Sequence, residues 1–379
     1  MTVATNTLAR AALTLLAAGG VISTLVWAGP LNPPSGAVSS TYKTLTEVEP
    51  RIAINSTNTP GDADSLFKIT QPGSYYLTGN ITGVIGKHGI EIAASGVSID
   101  LNGFSLVGVA SMGAFDGIYA SVFGLTNLAV VNGSIRNWGQ DGIDFFSQTA
   151  YACRIESVVA TGNAEIGFSV HSRSVISHCT SNGGTKCIYA ISACAIHDCA
   201  VSAASQQGML IQHGCVVTSS VANGNADGFN VNGGTTVTDC AAYQNTGIGF
   251  MANDGTEIVH CTSSSNNLDG IKCASGCTIV GNACSSNGIG GANEGAGIHA
   301  TGFDNRIESN HCLSADRGID VDIGGNFISK NTCSGNTTNW DVAAGNTILV
   351  VQGSSAGAVL GNAGGTAPGS TDPNANFTY

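Results

Sequence analysis

Glycine followed by alternating apolar residues recurs at nearly constant spacing through most of the chain. Each copy reads glycine, an apolar residue, any residue, and a second apolar or small residue. Alternation with a period of two is typical of a β-strand that has one buried face. Eleven copies occur, with gaps of 20 to 28 residues, and cysteine replaces the glycine in one of them. The copies begin at Gly89, Gly117, Gly142, Gly167, Cys187, Gly208, Gly228, Gly249, Gly270, Gly297 and Gly318.

Two further signals follow each start before the next copy begins. A short β-branched run comes seven to nine residues later, as in 235–237, 256–258 and 277–279. Next comes a turn containing asparagine, where glycine and asparagine can adopt positive φ. Such asparagines are Asn163, Asn182, Asn245 and Asn266. We therefore expect each repeat to hold two or three strands of three to five residues.

Strands this short are stable only when successive repeats stack and pair, about 4.8 Å apart. The pattern therefore predicts an all-β fold, a parallel β-helix (β-solenoid) of about 11 coils of about 21 residues. We expect the right-handed form from the handedness of parallel crossovers. A leucine-rich repeat is excluded because its leucine and asparagine signature is absent, and a propeller needs roughly 40 residues per blade.

Composition supports β-structure and limits the partners. Charged residues make up 10% of the chain, against about 25% in typical proteins, and 52 residues are glycine. An interior glycine costs a helix roughly 1 kcal/mol, so a helical fold is disfavoured. Thirteen basic and 25 acidic residues give a net charge of −12. We therefore expect neither nucleic acid nor an anionic membrane as a partner.

The N-terminus reads as an export signal. Arg10 precedes an apolar run over 11–28 that ends in a small residue, Ala28, before a break rich in glycine and proline. This predicts a signal peptide over 1–28, cleaved after Ala28, followed by a linker over 29–41. An uncleaved membrane anchor is the alternative, because the run is long enough for either. With the signal peptide removed, we expect a secreted or cell-surface protein without membrane contact.

Seven of the thirteen cysteines recur in two positions of the repeat. Four follow their repeat start by twelve residues and three follow it by seven, so each set is predicted to stack on successive coils. The two sets are Cys179, Cys199, Cys240 and Cys261, and Cys194, Cys215 and Cys277. Parallel Cβ vectors at strand spacing are poor disulfide geometry, so we favour buried free thiols over bridges.

The repeats need covers at both ends, because an open solenoid end exposes core and unpaired strand edges. We assign an N-terminal cap to 42–88, the parallel β-helix to 89–344, and a C-terminal strand with a flexible tail to 345–379.

The cap and the first coils carry a family resemblance. The segments concerned are QPGSYYLTGN at 71–80, GIEI at 89–92 and VSIDLNG at 97–103. They resemble secreted bacterial right-handed parallel β-helix proteins of pectate-lyase-like fold, a type abundant in planctomycetes. The resemblance covers nearly all of the mature chain and implies the fold and export.

Enzymes of pectate-lyase-like fold work on the outward face of one sheet, although the fold alone does not establish activity. The outward position lies two residues after each repeat start. It holds, in order, Glu91, Tyr119, Asp144, Ser169, Tyr189, Leu210, Asn230, Met251, Lys272, His299 and Asp320.

The C-terminal patch of this column combines Lys272, His299 and Asp320 on consecutive coils, as candidate catalytic residues. A cation, a base and a carboxylate on one sheet could abstract a proton beside a uronate carboxylate, or bind it. The alternative is a solvated ladder of opposite charges. Candidate substrate-binding residues in this patch are Asp269, Arg317 and Asp322.

The N-terminal patch pairs carboxylates with aromatic side chains among the longer coils, an arrangement that suits glycoside hydrolysis or sugar binding. The alternative is exposed turn aspartates that precede glycine. Candidate substrate-binding residues here are Asp116, Tyr119, Asp141 and Asp144, with Trp138, Phe146 and Tyr151 nearby.

A third column contains residue types found in catalytic triads, but stacking spreads them along the solenoid and we expect no catalysis there. Its members are His178, Asp198, Ser219, Asp239 and His260. No cysteine or histidine spacing indicates a zinc site, and no motif implies a cofactor; calcium is compatible with the carboxylates, but no motif requires it. The catalytic motifs of polygalacturonases, alginate epimerases and pectate lyases are absent.

Two functions remain open. The first is an exported, non-catalytic β-helix that binds a polysaccharide or cell-surface glycan, or builds a surface or matrix structure, with self-association as one route. The second is a polysaccharide lyase or glycoside hydrolase that acts on an extended, acidic polysaccharide.

Overall fold

The computed structural model describes residues 49–291, 295–352, 358–361 and 373–378. These residues form a parallel β-solenoid of about 14 turns, and no helix occurs among them. None of the described segments is therefore a candidate membrane-spanning helix. The predicted signal peptide, the linker and residues 42–48 of the predicted cap lie outside the described residues.

One face of the solenoid, the front sheet, contains 14 parallel strands, one from each turn. These strands are Ser65–Ile69, His88–Ile92, Ile118–Ala120, Ile143–Phe145, Ile166–Val170, Lys186–Ala190, Gln207–Ile211, Asp227–Val231, Phe250–Ala252, Ile271–Cys273, Ala296–Ala300, Arg317–Val321, Thr338–Val342 and Ala358–Gly361.

The remaining 26 strands form a second sheet that bends across two faces, the second face and the third face. Two long strands, Ala129–Arg136 and Arg154–Thr161, continue around the bend. The other strands of the second face are Ile52–Ala53, Gly73–Tyr76, Val97–Asp100, Val175–Ser177, Ala195–His197, Val216–Thr218, Thr236–Thr238, Glu257–Val259, Thr278–Val280, Arg306–Glu308, Phe327–Ser329 and Thr347–Ile348. Those of the third face are Ile81–Thr82, Ser105–Val107, Thr180–Asn182, Ala200–Ser202, Val221–Asn223, Ala241–Tyr243, Thr262–Ser264, Ala283–Ser285, His311–Leu313, Thr332–Ser334, Val350–Gln352 and Asn376–Thr378.

The solenoid extends past both ends of the predicted repeats. In the segment predicted as a cap, Ser65–Ile69 pairs in parallel with His88–Ile92, so this segment contributes a turn of its own. At the other end, Thr338–Val342 pairs with Ala358–Gly361. Within the segment predicted to hold a C-terminal strand, the structure has the strands Thr347–Ile348 and Val350–Gln352. Residues 353–357, 362–372 and 379 of the predicted tail lie outside the described part of the chain.

The alternation predicted from sequence sets the inside and the outside of the front sheet. Ile90, Phe168 and Trp340 face the core and are fully buried. Two inward phenylalanines on neighbouring coils, Phe229 and Phe250, stack with ring centroids 4.7 Å apart. Burying such apolar side chains contributes to the free energy that holds adjacent coils together.

The repeated glycine is required by the close approach of the next coil. A Cβ atom on Gly142 would lie 2.6 Å from the carbonyl oxygen of Gly167, and one on Gly117 would lie 2.6 Å from that of Gly142. The structure explains why the first position of the repeat selects glycine: at these sites the neighbouring backbone leaves no room for a side chain.

The turn asparagines stabilise the coils in a different way from the one predicted. None of Asn163, Asn182, Asn245 and Asn266 has positive φ. Instead, the side-chain oxygen of Asn245 accepts the backbone N–H of Asn225 at 3.0 Å, and that of Asn266 accepts the N–H of Asn245. These side chains satisfy amide groups in the buried turns, where an unpaired donor would cost about 1–3 kcal/mol.

All thirteen cysteines lie in the described part of the chain, and each is a buried free thiol. The predicted stacking is confirmed by the strand register, which places residues 179, 199, 240 and 261 at one position and 194, 215 and 277 at another. In later coils asparagine takes over the first position, where Asn282 accepts the N–H of Cys261 at 2.8 Å.

Candidate functional site

The outward column of the front sheet has the register predicted from sequence. Lys272 pairs with His299, and His299 pairs with Asp320. Near the other end, Glu91 pairs with Tyr119, and Tyr119 pairs with Asp144. Both candidate patches therefore lie on one face of one sheet.

In the C-terminal patch, both ring nitrogens of His299 are held by carboxylates. Nδ1 lies 2.9 Å from Oδ2 of Asp269, and Nε2 lies 3.2 Å from Oδ2 of Asp322. Burial of the ring lowers the pKa of His299, but the hydrogen bond and charge of Asp269 outweigh it and the pKa is raised. The paired imidazole carries a positive charge more readily than a free one and leaves no ring nitrogen free to accept a proton.

The other charges of this patch are paired as well. Asp320, only 9% exposed, lies 3.8 Å from Nε2 of His299 and 3.4 Å from the Arg317 guanidinium. Burial raises the pKa of Asp320, while the charges of His299 and Arg317 oppose the rise. Arg317 also lies 3.2 Å from Asp341 on the next coil. Lys272, half-buried, lines a small shallow depression. The patch is chiefly a ladder of opposite charges.

In the N-terminal patch, two aspartates are buried, and each accepts a backbone N–H from the coil that follows. Oδ1 of Asp116 accepts the N–H of Asp141 at 2.8 Å, and Oδ1 of Asp141 accepts the N–H of Ile166 at 2.9 Å. These side chains are 2% and 4% exposed, so the expected alternative of exposed turn aspartates is wrong. Each carboxylate satisfies an amide where the chain enters the front sheet.

The crowding of these carboxylates changes their acidity. Burial raises the pKa of Asp141 to about 8, and the charges of Asp116 and Asp144 add to the rise. Burial also raises the pKa of Asp116. At neutral pH Asp141 therefore holds a proton, as a general acid must.

Asp144, on the outward column, is held in place by several donors. Its Oδ1 accepts the N–H groups of Phe146 and Ser147 at 2.8 and 3.0 Å. The Ser169 hydroxyl on the next coil donates to the same oxygen at 3.3 Å. These bonds fix the carboxylate with 2% of its surface exposed.

Aromatic rings surround these carboxylates at the surface. The rings of His88 and Tyr119 stack with centroids 4.5 Å apart, and Phe146 meets Tyr189 edge to face at 5.0 Å. All four side chains are half-buried, so their outer surfaces face solvent. Other members of this cluster are Phe115 beside His88, His171 beside Phe146 and Tyr151, and the Arg173 guanidinium above the Tyr151 ring.

Sequence reasoning missed part of this cluster and misplaced another part. Trp138, a candidate platform, follows the strand Ala129–Arg136, is 1% exposed and packs in the core. His88, Phe115 and His171 were not predicted as site residues. They are 27 to 83 residues apart in the sequence and meet only when the coils stack. They occupy three different positions of the repeat, and nothing in a single repeat marks an outward-facing aromatic ring.

The third column lies at the bend between the second and third faces. All five of its residues adopt left-handed φ values between 48 and 55°. The bend exposes their side chains to solvent on a ridge, separate from the front sheet. Cys179 and Cys199 follow this bend and turn inward.

No family model matches this chain, and no curated protein matches it. Similar solved structures include the tailspike protein of E. coli bacteriophage HK620 in complex with a pentasaccharide, with 12% identity and a TM-score of 0.53 over 87% of this chain and 78% of that one. A mutant of that tailspike, also with pentasaccharide, has 13% identity and a TM-score of 0.58 over 80% and 72% of the two chains. The A-module of a mannuronan C-5 epimerase from Azotobacter vinelandii has 16% identity and a TM-score of 0.48 over 69% and 86%. The likeness to the tailspikes shows the fold alone, and that fold is a parallel β-helix.

Proposed function

We propose that this protein is an exported, bacterial β-helix of pectate-lyase-like type that binds an extended glycan along its front sheet. The observation that carries the proposal is the cluster of aromatic rings over fixed carboxylates in the N-terminal patch. Aromatic faces pack against the apolar faces of sugar rings, and carboxylates accept hydrogen bonds from sugar hydroxyls.

The dimensions of the cluster favour an oligosaccharide over a single sugar. Tyr119 and Tyr189 belong to the same outward column and are three coils apart. At about 4.8 Å per coil, this separation is about 14 Å. Gln148 and Arg173 add a hydrogen-bonding group and a cation beside the rings. The similarity to tailspikes whose structures contain oligosaccharides is in keeping with this use of the fold.

A binding experiment tests the proposal. Purified protein is titrated with a panel of neutral and acidic polysaccharides, and retained binding is compared with that of Phe146→Ala. The matched control is Tyr243→Ala, which removes an exposed ring from the third face. We expect only the first variant to lose affinity. Absence of binding to every member of the panel, or equal losses in both variants, would contradict the proposal.

Glycoside hydrolysis is the second candidate, favoured by the pKa of about 8 for Asp141 beside Asp116 and Asp144. A protonated carboxyl near an ionised one is the pairing that glycosidases use. New reducing ends released from a bound polysaccharide would establish this activity. Asp141→Asn should then abolish product release and preserve binding. Product release without loss in that variant would exclude Asp141 as the acid.

The C-terminal patch gives less support to lyase chemistry, because the base it would need, His299, is bonded at both nitrogens. Lys272 and His299 remain candidates for binding an acidic sugar through positive charge, whereas the Asp320 carboxylate would repel it.

Export is proposed from the N-terminal sequence. Expression in a bacterial host with an export pathway, followed by mass spectrometry of the mature chain, should show cleavage after Ala28. A chain that keeps residues 1–28 and sediments with membranes would instead support an uncleaved anchor. Either outcome leaves the binding experiment unaffected.

A further inference from the structure

Two histidines and one aspartate meet on the ridge between the second and third faces. His178 and Asp198 occupy the bend of neighbouring coils, and His197 ends the strand that leads to Asp198. Nε2 of His178 lies 3.7 Å from Oδ2 of Asp198, and Nδ1 of His197 lies 2.9 Å from the same oxygen. The candidate donor atoms of all three side chains lie within 4.8 Å of one another.

From this geometry we propose that His178, His197 and Asp198 form a binding site for a divalent transition metal ion, with zinc as the reference ion. Imidazole nitrogen and carboxylate oxygen bind zinc at about 2.0–2.2 Å. Two such ligands in a tetrahedral shell lie about 3.4 Å apart. The separations of the two histidine nitrogens from Asp198, 3.7 and 2.9 Å, fall on either side of this value. A small rotation of the three side chains would bring their donor atoms within bonding distance of one ion.

The backbone holds the ligands at fixed positions before any ion binds. The N–H of His178 donates to the carbonyl of His197 at 3.2 Å, and the N–H of Asp198 donates to Thr218 in the next coil at 3.3 Å. Both bends have the same left-handed conformation. Since the solenoid sets the relative positions of the Cα atoms, binding orders only side-chain rotamers.

The charges around the cluster also favour a cation. Among the described residues, the ion pairs of Asp198 are with the two histidines. The C-terminal patch differs, because there the Arg317 guanidinium already lies 3.4 Å from Asp320 beside His299. An arginine in that position competes with a metal ion for the carboxylate. The ridge cluster has two nitrogen ligands where the C-terminal patch has one.

With three protein ligands, a tetrahedral ion keeps one position for water or an external donor. The ion would also join two successive coils at their bend. The site is separate from the front sheet, so this inference does not depend on glycan binding.

The chain contains a matched control for the test. Asp239 and His260 repeat the bend positions of His178 and Asp198 on neighbouring coils, in the reverse order. Thr238 and Val259 stand where His197 stands, so this pair lacks the second histidine. Two ligands alone should bind zinc much more weakly.

Isothermal titration of the purified protein with zinc chloride measures the site. We expect one ion per chain, with affinity reduced at least about tenfold in His197→Ala and unchanged in His260→Ala, since changes even beyond the ligands cost metal sites about 10–100-fold. Far-ultraviolet circular dichroism checks that each variant keeps its β-structure. Absence of zinc binding, or equal affinity in wild type and His197→Ala, would overturn the proposal.

Cobalt(II) provides a second readout, which does not depend on the heat of binding. A nitrogen and oxygen shell of low coordination number should give visible absorption bands in the wild type, and His178→Ala should lose them. Retention of the full spectrum in that variant would show that the ion binds elsewhere.

Discussion

In both patches of the front sheet, an aspartate side chain caps a backbone amide of the next coil, but the two aspartates have different neighbours. Asp116 and Asp269 each use Oδ1 to accept an amide N–H from the next coil. Each also directs Oδ2 towards a histidine, at 3.3 Å for His88 and 2.9 Å for His299. The neighbours of Asp116 are carboxylates and aromatic rings, whereas those of Asp269 belong to a network that includes Arg317.

This difference shows how one repeat produces two chemical environments. In the N-terminal patch, burial raises the pKa of Asp141, and the charges of Asp116 and Asp144 add to the rise. In the C-terminal patch, His299 and Arg317 lie close to Asp320, and their charges oppose the rise of its pKa. The N-terminal patch is therefore the better candidate for acid catalysis, while most charged groups of the C-terminal patch are paired with one another.

The largest contrast is expected in the pH dependence of stability. The pKa of Asp141 is about 8 in the folded chain and 3.8 without the fold, so the native state binds more protons between these values. The free energy of unfolding should therefore fall as the pH rises from about 4 to about 8. Asp141→Asn keeps an oxygen for the Ile166 amide and should remove this fall, which amounts to at most about 6 kcal/mol.

Urea unfolding at both ends of this pH range measures the effect. The matched control is Asp227→Asn, in which the same cap reaches Ile248 but the column neighbours are Gln207 and Ile248 rather than carboxylates. An equal gain in the control would show that the crowding of charges is not the cause.

The next effect concerns the cap in the C-terminal patch. Asp269→Ala leaves the Ala296 amide and Nδ1 of His299 without their acceptor and should lower the free energy of unfolding by about 1–3 kcal/mol. Asp269→Asn keeps an acceptor for the amide but loses the charge, so the pKa of His299 should fall. Nuclear magnetic resonance titration of the ring measures this change.

The raised pKa of His299 also makes the stability of the protein depend on pH. Because the pKa of His299 is raised in the fold, its contribution to stability is present at low pH and is lost as the pH rises through the folded pKa. Asp269→Asn should weaken this dependence. An unchanged His299 pKa in the variant would assign the shift to the other carboxylates.

A smaller effect is expected for glycan binding. Tyr119→Ala removes the ring that stacks on His88 and should weaken polysaccharide affinity about tenfold, or about 1.4 kcal/mol. Affinity electrophoresis on the polysaccharide that binds wild type measures it. A variant that binds as tightly as wild type would remove this ring from the site.

The smallest effect is expected for Lys272→Ala. Its half-exposed side chain should contribute less than about 0.5 kcal/mol to stability, and we expect less than a twofold change in glycan affinity. The same titration measures the change. A loss comparable to that of Tyr119→Ala would move the binding site to the C-terminal patch and reverse the comparison.

Local sequence patterns predicted the front sheet, because the alternation of inward and outward residues can be read within a single strand. Alternation placed Ile90 in the core and Glu91 on the opposite face of the sheet, and the constant period placed Lys272, His299 and Asp320 on consecutive coils. The cysteine columns followed from the same counting. Each of these predictions needs only the spacing of residues along the chain.

Predictions about turns were less accurate, because a turn residue is selected by its neighbours on other coils. Asn245 matches the composition of a left-handed turn, yet it serves as an acceptor for the amide of Asn225. Trp138 looked like an outward platform and lies in the core. Strand geometry is repeated, whereas inserted loops follow no period.

The sequence by itself determined the fold class, the coil period and the outward column, since strand pairing repeats the same local rule from coil to coil. Only the tertiary structure decided which charges meet. Residues 20 to 30 positions apart meet when His299 pairs with Asp269 and when His178 pairs with Asp198. The burial of Asp141 likewise depends on neighbours at that distance along the chain. These contacts depend on side-chain direction and turn geometry at each coil, which the period of the repeat does not specify.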